Sequence, residues 1–122
     1  MCSSDLADGA AIGICVLTRG DKGQPNRPVK HLPAVRRREM QAAARLLGAE
    51  LLLGDSPDGE LQDDPRTRRA VLVHFRRFRP TLVLAHAPED YHPDHRAAAA
   101  LAEAASWFAA SRGHRKIGRA HV

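Results

Sequence analysis

The segment Tyr91-His92-Pro93-Asp94-His95 places two imidazoles three residues apart around a carboxylate. Imidazole binds metals and moves protons near neutral pH, and a carboxylate between two such rings can orient one by hydrogen bonding. Histidines at this spacing can reach one metal ion or one substrate, with Pro93 stiffening the backbone between them. The same residues also suit a plain turn in which Asp94 caps a helix N-terminus. A metal needs about three protein ligands, and no other cluster in the chain clearly supplies the rest.

Holding such a group needs a rigid scaffold, and the remaining sequence alternates elements that could build one. Residues 11–18 (AIGICVLT) form an apolar run ending in Arg19-Gly20-Asp21-Lys22-Gly23, which predicts a buried strand entering a glycine-punctuated loop. Pro25, Pro28 and Pro33 keep the next stretch irregular. Met40, Ala43, Ala44 and Leu47 then recur at helical spacing, with Gly48 as the stop. Residues 50–53 read as a second strand, followed by the turn-rich Gly54-Asp55-Ser56-Pro57-Asp58-Gly59. Asp64-Pro65 is a cap followed by a first-turn proline, and the helix it opens carries Val71, Leu72, Phe75 and Phe78 on one face before Pro80 ends it. Residues 81–85 (TLVLA) predict a third strand and residues 94–110 a long alanine-rich helix. This alternation predicts a Rossmann-like, doubly wound α/β fold with a mostly parallel sheet. Ligands of such sheets sit outside the carboxyl ends of the strands, which directs attention to loops 19–23, 55–61 and 86–95.

With 122 residues, 43% apolar and 27% charged, the chain has the composition of one folded domain, which excludes disorder and leaves no room for two. No run reaches the roughly 20 apolar residues of a membrane span. No basic segment followed by an apolar one opens the chain, and two cysteines make no disulfide framework, so a reducing cytoplasm is the expected location. Nothing in the sequence fixes an oligomeric state. A net charge of +5 and the run Arg66, Arg68, Arg69, Arg76, Arg77 and Arg79 raise a basic nucleic-acid-binding module as the alternative. With 4% aromatic residues there are few surfaces on which bases could stack, so a solvated basic face is the better reading and no nucleic-acid partner is expected. A non-catalytic Rossmann-like module is the other alternative, but no GxGxxG follows any strand. His31, His74 and His114 read as solvated, Cys15 as a small core residue, and Phe75, Phe78, Trp107 and Phe108 as packing residues. His86, at the end of the third strand, is a candidate for a substrate-side role.

The two ends differ in character. Met1-Cys2-Ser3-Ser4-Asp5-Leu6 resembles the translation of a sequencing-adapter end, and Ile117-Gly118-Arg119-Ala120-His121-Val122 resembles that of its reverse complement. Residues 1–6 and 116–122 are therefore expected to be foreign, with residues 7–115 the natural sequence.

Several motifs together carry a family resemblance. Asp90-Tyr91-His92-Pro93-Asp94-His95-Arg96-Ala97 after TLVLAHAP resembles the second signature of the LmbE/PIG-L family of zinc-dependent N-acetylglucosaminyl deacetylases. Leu17-Thr18-Arg19-Gly20-Asp21-Lys22-Gly23 resembles its second-strand loop, and Arg36-Arg37-Arg38-Glu39 through Leu46-Leu47-Gly48-Ala49 its R-x-x-E helix. Pro57-Asp58-Gly59-Glu60-Leu61 resembles its PDGEL turn, and Arg77-Phe78-Arg79-Pro80 the element before its histidine strand. The motifs stand in the family's order across residues 7–115.

The resemblance implies a metal-dependent N-deacetylase. Zinc would be the cofactor, and a small N-acetylated sugar, of the N-acetylglucosamine-conjugate type, the substrate. It implies that His95 ligates zinc, that His92 stabilises the developing oxyanion or protonates the leaving amine, and that Asp94 holds and polarises His92. Arg36, Asp21 and Tyr91 are implied on the substrate side. The family's first signature, His-Pro-Asp-Asp-Glu, has no match here and is expected upstream. The fold is therefore expected to be truncated, and the chain alone to hold zinc weakly and lack turnover.

Overall fold

An apolar run becomes a strand only where a neighbour takes up its backbone hydrogen bonds. The computed structural model describes residues 9–23, 26–111 and 113, and within them two runs meet this condition. Strand β1 (Gly13–Thr18) lies parallel to β2 (Glu50–Ser56), with helix α1 (Leu32–Leu47) between them in sequence. Helices α2 (Pro65–Phe78) and α3 (Pro93–Ala110) follow, so the architecture is α/β with a parallel two-strand sheet and three helices. The adapter-like ends, residues 1–6 and 116–122, lie outside the described residues, as does His114.

The chain divides into two compact units, Met1–Asp58 and Gly59–Val122. In the first, α1 packs on β2, and Ile12, Ala44 and Leu52 are buried. Gly48 ends α1 in the left-handed region (φ 64°), where its N–H reaches back to the carbonyls of Ala44 and Arg45. Of the expected α1 stripe, Ala44 is buried, whereas Ala43 and Leu47 are exposed. Cys15, expected in the core, is exposed as well. Both departures have one cause: helical or strand periodicity marks an apolar face, but burial requires a second element to cover it.

The sheet carries a bulge. Val16 pairs with Leu53 and Thr18 with Ser56, so Leu17 alone opposes Gly54 and Asp55. A Cβ at position 54 would stand 2.7 Å from the Leu17 carbonyl oxygen and 2.8 Å from its Cα, which only glycine avoids.

In the second unit Asp64 caps α2, its carboxylate accepting the Thr67 N–H at 2.8 Å, with Pro65 following it as the sequence predicts. α2 packs against α3, and the buried side chains are Val71 and Leu72 from α2 and Ala99, Leu101 and Ala105 from α3. Arg76 donates through Nη2 to the carbonyls of Phe108 and Ser111 at the end of α3, where helix carbonyls lack ladder partners. His74 is half-buried rather than solvated. Trp107, expected to pack inward, is 67% exposed and meets Phe108 edge to face. The predicted third strand is absent from residues 81–85, and Leu82, Val83 and Leu84 are exposed. Among the described residues no strand lies beside this run to complete its hydrogen bonds. No described helix is long and apolar enough to cross a membrane.

Gly54→Ala is expected to destabilise the protein by roughly 1–3 kcal/mol through overpacking against Leu17. Chemical denaturation measures this, and an unchanged midpoint would contradict the close approach.

Candidate functional site

The start of α3 is built by local hydrogen bonds. Asp90 Oδ1 accepts the His92 N–H at 2.9 Å, the two-residue reach characteristic of an aspartate turn. Arg96 Nη1 donates to the carbonyls of Asp90 (2.8 Å) and Tyr91 (3.0 Å), fixing the loop from the helix side. His92 occupies the N-cap, and its Nδ1 accepts the Asp94 N–H at 3.0 Å. The cap is therefore His92, not Asp94 as the plain-turn reading has it. With Nδ1 accepting, the ring proton of neutral His92 resides on Nε2.

Asp94 instead turns inward. It is 8% exposed, and its carboxylate accepts the N–H groups of Gly59 (2.7 Å) and Leu61 (3.2 Å). What reaches His92 from residue 94 is the backbone N–H, while the carboxylate is bonded to the two amides. Its negative charge also stands in the first helical turn, where the helix dipole favours it.

Three imidazoles gather beside this helix start. His95 stacks on His86 with centroids 4.0 Å apart and planes within 2°, and on His92 at 4.5 Å and 17°. His95 Nδ1 lies 3.0 Å from Asp90 Oδ1. The Asp90 carboxyl is held below the ordinary aspartate range, chiefly by the His92 amide and further by His95. Tyr91, 86% exposed, stands edge-on to His92 and His95 at 6.2 and 6.1 Å.

His86, Asp90 and His95 each offer a potential ligand atom, and these atoms lie within 4.8 Å of one another. Nitrogen and carboxylate oxygen donors of this kind suit zinc. Metal–imidazole bonds lie in the ring plane, however, and two rings parallel to within 2° cannot both aim in-plane lone pairs at one ion. The donor types fit a metal, and His86 lies flat against the His95 ring.

Asp21 and Arg36 belong to the first unit. Asp21 Oδ1 accepts the Asp58 N–H at 2.9 Å, while the Asp58 carboxylate accepts the N–H groups of Gly20 and Lys22, each at 2.9 Å. This reciprocal clasp joins the loop after β1 to the turn after β2. Arg19 adds an ion pair to Asp21 at 3.4 Å. Arg36 runs beside Gly20 and Gly23 and pairs with Glu39 at 3.0 Å. The structure thus gathers Tyr91, His92 and His95 at one helix start with Asp94 beneath them, and sets Asp21 and Arg36 along one loop of the other unit. Sequence reasoning gave no role to Asp90. Its signal was an aspartate two residues ahead of His92, the spacing of a side-chain-closed turn.

A parallel strand pair in the first unit and, in the second, imidazoles and carboxylates clustered where a loop enters a helix make this an α/β protein with a candidate metal-binding group. The chain belongs to the PIG-L family, whose model, described as GlcNAc-PI de-N-acetylase, matches residues 2–106. Among solved structures it is similar to the conserved protein TT1542 from Thermus thermophilus, with 38% identity, a TM-score of 0.73, and coverage of 90% of this chain and 48% of that one. It is also similar to GalB, the 4-carboxy-2-hydroxymuconate hydratase from Pseudomonas putida, with 30% identity, a TM-score of 0.82, and coverage of 93% and 50%. The N,N'-diacetylchitobiose deacetylase from Pyrococcus horikoshii matches with 25% identity, a TM-score of 0.81, and coverage of 98% and 46%. The chain therefore spans about half the length of these relatives.

Two outcomes follow from the bonds described. Asp94→Ala orphans the Gly59 and Leu61 amides and is expected to cost about 1–3 kcal/mol in a denaturant titration, a loss that a purely chemical role for Asp94 would not produce. Asp21 is held below the ordinary carboxylate value chiefly by the Asp58 amide. Its contribution to the clasp is thus complete above about pH 4 and is lost as the pH falls through its lower folded value. Hydrogen-exchange protection of the Asp58 amide should fall in that window, and protection as high in the Asp21→Ala variant as in the parent would contradict the assignment.

Proposed function

We propose that residues 7–115 form part of a zinc-dependent N-deacetylase that releases acetate and a free amine from an N-acetylglucosamine-type conjugate. The observation that carries this reading is the His92 and His95 pair at the start of α3, where a local hydrogen bond occupies Nδ1 of each ring and leaves Nε2 for chemistry. The family description and the deacetylase neighbour support it. Because the chain is about half as long as its relatives, the activity is proposed for a protein of their full length.

His95 would hold the zinc. Bound there, zinc would supply an acidified water and a polarised acetyl carbonyl. His92 presents Nε2–H as a donor toward the negative charge that develops on the acetyl oxygen. Asp94 keeps His92 in register through its backbone N–H while its carboxylate is anchored to Gly59 and Leu61. Tyr91, exposed and edge-on to both rings, is proposed as a sugar contact, with Arg36 and Asp21 as further substrate contacts.

Two of the arginines behind the nucleic-acid alternative have structural duties. Arg68 forms a two-point bond with Asp63, and Arg76 binds the end of α3. The hydratase neighbour supports a second reading, addition of water across the double bond of an unsaturated acid. Both reactions bring water to an electrophilic carbon, and acetate release separates them.

In a chain of the relatives' full length, His95→Ala is expected to lose zinc by metal analysis. His92→Ala should keep zinc and lose about a hundredfold or more in acetate release. A loaded His95→Ala alongside an empty His92→Ala would reverse the assignment, and hydration without acetate release would favour the second reading.

A further inference from the structure

Asp90 Oδ1 faces two nitrogens, the His92 backbone N at 2.9 Å and His95 Nδ1 at 3.0 Å. The first is an obligatory donor, so this oxygen acts as an acceptor. An acceptor at 3.0 Å from a ring nitrogen requires the ring proton to sit on that nitrogen. His92 is in the opposite state, because its Nδ1 accepts the Asp94 N–H. Two histidines three residues apart are thus set in opposite tautomers, one with a lone pair at Nε2 and the other with a proton there.

We propose that Asp90 is the positioning residue that fixes His95 in its Nδ1–H tautomer, making Nε2 the ligating atom. The inference rests on the zinc reading of His95 given above. The rival arrangement, in which His86, Asp90 and His95 share one ion, conflicts with the parallel stacking of the two rings. A metal-bound imidazole characteristically donates its other N–H to a carboxylate, and removing that partner costs about 10–100-fold in metal affinity. Because the same oxygen also closes the turn at His92, Asp90 couples the placement of the proton-donating ring to the tautomer of the ligating one. Arg96, holding the Asp90 carbonyl, keeps this acceptor in place.

The test reads the His95 ring nitrogens of the metal-free 122-residue chain by 15N NMR and the zinc affinity of a chain of the relatives' full length. His95 in the parent should be mainly the Nδ1–H form. Asp90→Ala should move it toward the Nε2–H form that an unrestrained histidine side chain favours and weaken zinc binding about 10–100-fold. Asp90→Asn retains an oxygen acceptor, so it should preserve hydrogen-exchange protection at the His92 amide and give an intermediate tautomer ratio and affinity. A parent in the Nε2–H form overturns the proposal, as does an Asp90→Ala variant with its tautomer unchanged. Tautomer and metal are read separately, so the two failures are distinct: if His95→Ala binds zinc as tightly as the parent, it is the zinc reading that fails.

Discussion

The site at the start of α3 depends on one buried carboxylate. Asp94 is excluded from water, a costly position for a charge unless donors meet it, and the amides of Gly59 and Leu61 do so. That attachment fixes where α3 begins. The backbone N–H of Asp94 then meets His92 Nδ1, the amide of His92 meets Asp90, and the same Asp90 oxygen meets the His95 ring. A chain of bonds thus runs from the Gly59–Leu61 turn to His95, and each acceptor in it is a named side-chain atom. The positions of His92 and His95 follow from this chain, and His86 stacks on the ring it places.

The same economy appears elsewhere. Asp58 takes the amides of Gly20 and Lys22 and gives its own to Asp21, while Asp64 takes the amide of Thr67. Loops have backbone donors that no ladder satisfies, and short carboxylates are suited to reach them. Each turn that bears a candidate functional residue is closed in this way, so side chains on irregular backbone are held without a covering element.

Much of this was legible in the residues. The proline after Asp64, the glycine after Leu47 and the His-Pro-Asp-His spacing are local signals, and α2, the α1 stop and the imidazole group formed where they indicate. What failed to read out depends on partners distant in sequence. Residues 81–85 have the composition of a strand but no described neighbour to pair with. The periodicity of Trp107 and Ala43 marks a face but not what covers it. Asp94 has the chemistry of an N-cap, and it lost that place because the amides of Gly59 and Leu61, far upstream in the chain, required an acceptor.

The stacking around His95 bears on motion. His86 and His92 both stack on the His95 ring, at 4.0 and 4.5 Å. A half-turn about its Cβ–Cγ bond would have to push both neighbours aside and break the bond to Asp90. Two stacked neighbours and a hydrogen bond thus restrain the ring, and its turning is coupled to theirs.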